Sequence, residues 1–214
     1  MKSIDELIMI QTTLSRRLIL KDRFKTPIKR IGGVDLAFTD DRAVAACVIL
    51  DYVNMEVMDQ KSTTVALDFS YRPGFLWFRE GPPMLKVINS LDIEPDIFMI
   101  NAHGTAHPRR FGSASHMGVQ LGKPTIGVAG SRFYGHYERL PREVGDATPL
   151  CADGEVLGWV IKPAIGKPIY ASPGHMVSLK STAKITIDCL RGHRFPEPLH
   201  LADKLANYRK KELN

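Results

Sequence analysis

The 214-residue chain is poor in cysteine and has no long apolar run, internal repeat or low-complexity tract. Its three cysteines, Cys47, Cys151 and Cys189, are odd in number and widely spaced, with no Cys-x-x-Cys pair. That argues against a zinc knuckle or a redox dithiol, and their apolar surroundings suit buried free thiols in a reducing compartment. No window holds eighteen uncharged apolar residues, so no helical membrane span is expected. The segment MKSIDELIMIQTTLSRRL places Asp5 and Glu6 among its apolar residues, unlike a secretory signal, and a cytoplasmic location is expected. With no linker to divide it, the chain is long enough for one sizeable core and short for two, so residues 1–214 read as a single domain.

What is present is ordinary globular composition with a basic balance. Hydrophobic residues make up 44% and charged residues 24%, and the formal charge is +6. A positive surplus suits a polyanionic partner such as nucleic acid, but many basic proteins bind none. Residues 3–22 carry Ile4, Leu7, Ile8, Leu14 and Leu18 near helical spacing, behind Ser3. RIGGVDLAF (30–38), AVAACVILDY (43–52) and EVMDQKSTTVAL (56–67) read as strands joined by hairpin-length connections. A turn at Pro73-Gly74 leads into a helix ending near Leu91. PDIFMIN (95–101), GSASHMGVQLG (112–122) and PTIGVA (124–129) alternate strand, helix, strand, which argues for a parallel layer. Strands at 155–162 and 167–171, and helices near 174–191 and 199–211, complete the set. The expected fold is α/β: an antiparallel meander plus parallel strands in one mixed sheet, flanked by helices.

Four positions bear on chemistry. Asp35 interrupts an apolar strand, which is costly unless it is paired, binds a metal or faces solvent. Glu80, in FREGPP, lies near a helix start, where its charge also suits the helix dipole. Asn101 ends the strand at 95–101, and Asp203 lies on the last helix, where it equally reads as solvated. Neighbouring strands can set Asp35 beside residue 101, and a helix can bring Glu80 or Asp203 towards them. Mg²⁺ needs only a few such oxygen ligands together with a phosphate.

The blocks GGVDLAF, YRPGFLWFREGP, HGTAHPRRFGSASHMGVQLGKPTIGVA, SRFYG, SPGHMVSL and FPEP together resemble the endonuclease V family. They run from about residue 30 to 206. The resemblance implies a ribonuclease H-like fold and hydrolysis dependent on Mg²⁺ or Mn²⁺. It implies a DNA partner containing deoxyinosine, cut at the second phosphodiester bond 3′ to the lesion in the service of DNA repair. Single-stranded DNA or inosine-containing RNA are further possible partners, and a monomer is expected. Carried over by motif, Asp35 and Glu80 match metal carboxylates and Asp203 the C-terminal ligand. Tyr71 matches the wedge that fills the stack when a base is extruded, with Pro73 and Gly74 beside it and backbone amides around Gly74 reading the base. His107 matches a histidine near the backbone phosphate, and Arg109 and Arg110 suit phosphate by charge. His103 and His116 read as packing or loop-orienting residues.

Two positions depart from that pattern. Asn101 stands where the family has Asp: its amide oxygen can still ligate, but the cage loses a negative charge. Gly130 stands where the family has Lys, a residue suited to stabilising charge on the attacked phosphate. Arg132 is the nearest cation in sequence. These departures leave a second reading open, a chain that binds inosine-containing nucleic acid without efficient cleavage.

Overall fold

The computed structural model describes residues 3–213. Helix α1 (Ile4–Ser15) begins on a capping box: the Ser3 hydroxyl accepts from the Glu6 N–H at 3.2 Å, and the Glu6 carboxylate accepts from the Ser3 N–H at 2.6 Å. Apolar spacing predicts this helix to residue 22, but it ends at Ser15. Tertiary bonds claim the rest. Ile19 N–H donates to His175 Nδ1 at 3.3 Å, and Ile19 O accepts from Met176 N–H at 2.6 Å.

The meander forms as expected: β1 (Arg30–Phe38), β2 (Arg42–Asp51) and β3 (Val57–Ala66) pair antiparallel in succession. Helix α2 (Trp77–Ile88) leads to β4 (Ile97–Ile100), then α3 (Ser113–Leu121) and β5 (Thr125–Ala129). β4 pairs parallel with both β1 and β5, which makes the parallel layer that the alternation of elements implies. Next come β6 (Ala147–Ala152), β7 (Glu155–Ile161), β8 (Ile169–His175), α4 (Leu179–Asp188) and α5 (Glu197–Lys211). The single eight-stranded sheet runs β3-β2-β1-β4-β5-β8-β7-β6.

β6 is absent from the sequence reading because Pro149 lies within it. As the outermost strand, β6 has no strand on its outer side, only the isolated bridge of Cys151 to His136, and so tolerates a residue with no N–H at 149. The helix expected near 174–191 is shorter at both ends, because residues 174–175 belong to β8 and Ser178 caps α4 by accepting from Ser181 N–H at 3.2 Å. Of the cysteines, Cys47 and Cys189 are buried as expected, whereas Cys151 is half-buried on the β6 edge.

Each face of the sheet has its own core. Val34, Ala45, Cys47 and Ile100 pack under α2 and α3 with Trp77, Met84 and Met117. Ile31, Val48, Met99, Ile126 and Val128 pack on the other face with Leu199 and Ala202 of α5. Gly33 explains how α5 comes so close: a Cβ there would lie 2.1 Å from the Pro198 carbonyl oxygen. No helix among the described residues is long and apolar enough to cross a membrane.

Candidate active site

The alternation of strand side chains decides what faces what. Residues 31 and 33 of β1 face α5, so Asp35 faces α5 as well, opposite Ala46. Residues 97 and 99 of β4 share that face, and the next side chain on it is Asn101, just past the strand's C-terminal end. The parallel register sets Val34 against Ile100, and Asn101 N–H donates to Val34 O at 3.1 Å. Asp35 and Asn101 therefore meet. The Asn101 amide donates from Nδ2 to both Asp35 oxygens, at 3.0 and 2.9 Å, and Leu36 N–H donates to Oδ1 at 2.7 Å.

Asp35 is only 6% exposed, and burial raises its carboxyl from the ordinary range to about 7 despite the hydrogen bonds from Asn101 and Leu36, which favour the charged form. Asp203 on α5 adds a smaller push in the same direction, so its charge reaches Asp35. Its own carboxylate is exposed and accepts from Asn207 Nδ2 at 2.8 Å. Glu80 arrives from the first turn of α2. Burial, followed by the nearby Asp35 charge, raises it to about 7 as well. Pro82 and Pro83 follow within the next turn of α2 and have no N–H, so the carbonyls of Phe78 and Arg79, the two residues before Glu80, lack their usual helical partners.

Two carboxylates pushed upward by burial, and each by a neighbouring acid (Asp203 on Asp35, Asp35 on Glu80), make a setting that a cation would relieve. Among the described residues no three His, Cys, Asp or Glu side chains converge, so a metal here would rest on Asp35, Glu80 and the amide oxygen of Asn101. This all-oxygen set suits a hard divalent ion that keeps part of its water shell.

Beside it lies a cavity of about 320 Å³ lined by Tyr71, Gly74, Trp77, His103, His107 and Phe133, among others. Tyr71 is 64% exposed at its mouth. Gly74 adopts φ +80°, a conformation that favours glycine, and its carbonyl is held by three donors. They are Gln11 Nε2 at 3.0 Å, His107 Nε2 at 3.2 Å and Arg109 Nη2 at 2.8 Å. Phe75 N–H closes the turn on Arg72 O, while Gly74 N–H has no protein partner among the described residues.

His107 also accepts the Arg109 N–H at Nδ1, 3.2 Å away, so the neutral tautomer with its proton on Nε2 satisfies both contacts. Burial, then the Arg109 charge, lowers it to about 4. His107 thus links the 71–75 turn to its own loop without offering charge. The two arginines expected to face phosphate are engaged internally. Arg109 donates from Nε to Gln11 Oε1 at 2.7 Å and stacks over Phe75, 4.6 Å from the ring centre. Arg110, at φ +53°, bonds Asp153 at 2.9 Å and Glu155 at 3.4 Å. His103 lines the cavity and faces Phe133, with burial lowering it to about 4. His116 is packed by Trp77, Phe78 and Phe111, and burial lowers it to about 3.

Gln11 and Phe133 are wall residues that the sequence reading passes over. Gln11 had a signal: it sits one turn after Leu7 on the buried face of α1, where a polar residue needs partners. Phe133 had none beyond being an aromatic in a loop.

A sequence model described as endonuclease V matches residues 12–204. An endonuclease V of Trichormus variabilis is 39% identical over 210 residues, spanning 97% of this chain and 95% of that protein. The solved endonuclease V of Streptomyces avermitilis is 36% identical with a TM-score of 0.91, over 100% of this chain and 95% of its own. That of Ciona intestinalis, solved in complex with a 24mer DNA containing an inosine followed by a ribo-adenosine, is 29% identical with a TM-score of 0.87 over 99% of each chain. The chain belongs to the endonuclease V family.

Proposed function

We propose that this protein is a divalent-metal-dependent endonuclease acting on DNA that contains deaminated adenine, as deoxyinosine. It hydrolyses the second phosphodiester bond 3′ to the lesion, with Mg²⁺ as the ion and Mn²⁺ as a substitute, and serves DNA repair as a cytoplasmic monomer. The observation that carries this reading is the Asp35–Asn101 pair at adjacent parallel strand ends, with Glu80 near it, beside a cavity that has an exposed aromatic ring at its mouth. The inosine-bearing DNA held by the Ciona intestinalis relative supports the choice of lesion.

Asp35, Glu80 and the Asn101 amide oxygen would hold the ion, with Asp203 nearby on α5, the helix that covers Asp35's face of the sheet. When bound, such an ion polarises the phosphate and lowers the pKa of an attached water. The chain's own residues place the substrate. Tyr71 occupies the gap left in the stack by the extruded base, and the cavity below it, within the range of small-molecule sites, receives that base. The Gly74 N–H is a free backbone donor at its wall, while Gln11, His107 and Arg109 fix the turn by holding the Gly74 carbonyl.

A second reading is favoured by one observation: the Asn101 NH₂, rather than a second carboxylate, sits on both Asp35 oxygens. On that reading the chain binds inosine-containing nucleic acid with little cleavage. End-labelled duplexes with deoxyinosine or adenine at one position, their single strands and matched RNA, each incubated with Mg²⁺, test the choice. A cut confined to the inosine substrates, one bond beyond the nearest 3′ linkage, is expected. Tight inosine-selective binding without a cut at high enzyme excess would select the second reading.

A further inference from the structure

Residue 130 has no side chain, yet the space it would occupy is filled. β1, β4 and β5 run parallel and adjacent, so the ends carrying Asp35, Asn101 and Gly130 lie along one edge of the sheet. Ile126 and Val128 face α5, and the same alternation aims position 130 towards that face, where Asp35 and Asn101 also point. Two strand spacings, roughly 10 Å, separate this column from that of Asp35. A Cβ built on Gly130 would meet Phe195 Cζ at 3.1 Å and the Arg194 guanidinium at 3.3 and 3.4 Å.

Arg194 comes from the loop between α4 and α5, far from residue 130 in sequence. Its Nη2 donates to Gly130 O at 2.5 Å and its Nε to Lys167 O at 3.2 Å. The side chain is half-buried, and among the described residues no carboxylate lies within ion-pair distance of it. A guanidinium has five N–H donors, so most remain free once these two carbonyls are served. A positive charge that is held in place, stripped of part of its water and lacking an anion is suited to a phosphate. Both cations lie over rings, Arg132 over Tyr137 at 5.7 Å and Arg194 over Phe195 at 5.4 Å, but it is Arg194 whose guanidinium bonds the Gly130 carbonyl.

We propose that Arg194 is the phosphate-binding cation of this site, delivered from the α4–α5 loop to the place that Gly130 leaves open. A Cβ at 130 would already press on the Arg194 guanidinium and Phe195, so a lysine there would have to shift Arg194, and in this proposal one cation serves for the other. This rests on the nuclease reading above and names the group that meets the charge on the attacked strand.

The test compares wild type, Arg194→Gln, Arg194→Lys and the double variant Gly130→Lys/Arg194→Gln. Glutamine removes the charge but is also shorter and loses the Nε donor to Lys167, so Arg194→Lys, which keeps the charge, separates the two effects, and melting curves for each variant check the fold. Binding to a deoxyinosine duplex in EDTA is measured against salt, and single-turnover cleavage in Mg²⁺. For Arg194→Gln the slope of log affinity against log salt is expected to fall by about one unit. Cleavage is expected to slow by roughly tenfold or more. Arg194→Lys and the double variant are expected to recover the slope and most of the rate. A folded Arg194→Gln with wild-type slope and rate would overturn the role of Arg194 while leaving the nuclease reading intact. A double variant that recovers neither would overturn it too. A wild-type chain indifferent to inosine in both assays would instead remove the functional reading on which it rests.

Discussion

At Asn101 an amide stands where a charge would change the balance of the site. Its NH₂ reaches both Asp35 oxygens, at 3.0 and 2.9 Å, and partly offsets the carboxylate without ionising. Asn101→Asp would face two carboxylates at that distance, a contact that demands either a shared proton or a cation. Without divalent metal the variant is expected to be less stable by about 1–3 kcal/mol. With Mg²⁺ it is expected to recover, and to cut deoxyinosine DNA faster than wild type. Calorimetric melts in EDTA and in Mg²⁺ check this, and equal Mg²⁺-induced shifts in both proteins would contradict it. His116 gives a separate handle on pH. Its folded value near 3 lies below the ordinary 6.5, so the unfolded chain binds more protons between those values and stability is lost as pH falls through that window. His103 and His107 act in the same direction, whereas Asp35 and Glu80, raised to about 7, gain stability over an overlapping range. His116→Phe suits the aromatic surroundings and removes one titration. The slope of unfolding free energy between about pH 6 and pH 4 should then become shallower, by up to about 1.4 kcal/mol per pH unit. An unchanged slope would show that His116 is not held neutral.

Elements matter here through how closely they approach. The Gly33 position lets α5 sit on β1, which fixes the face that Asp35 shares with Asp203. Gly33→Ala forces the Pro198 carbonyl away and is expected to cost about 2–3 kcal/mol, read as a lower urea midpoint. Its metal-dependent activity should fall more than its stability alone explains. The 71–75 turn is different, because its ring projects outward while its backbone is anchored. Tyr71→Ala should leave the melting temperature within a degree or two and weaken discrimination of inosine over adenine duplex, checked by competition binding; unchanged discrimination would remove the wedge role. Much of this was legible in the sequence. Apolar alternation located β1, β2 and β4, and an acid inside an apolar strand marked Asp35. Other features were out of reach. No local pattern records that Ile19 is bonded to residues 175 and 176, that an edge strand shelters Pro149, or that Arg194 folds back onto Gly130. Charge alone suited Arg109 and Arg110 to phosphate, and it gave no sign of the partners distant in sequence that each has, Gln11 and the Gly74 carbonyl for Arg109, the surface carboxylates Asp153 and Glu155 for Arg110.

Across the whole molecule, three parallel strands deliver their C-terminal ends to one edge, and helices on both faces contribute to it. Asp35 and Asn101 come from the sheet, Glu80 from α2 and Asp203 from α5. The formal charge of +6 suits a polyanion over this edge. The proposed reaction at this edge is hydrolysis of a phosphodiester, with the help of a divalent ion, at a deaminated base. Single-turnover cleavage of a duplex with one deoxyinosine, mapped at nucleotide resolution in Mg²⁺ and in EDTA, tests it most directly. One product is expected, cut at the second bond 3′ to the lesion, in Mg²⁺ only. No cut at enzyme excess, or an equal cut in the adenine control, would contradict it.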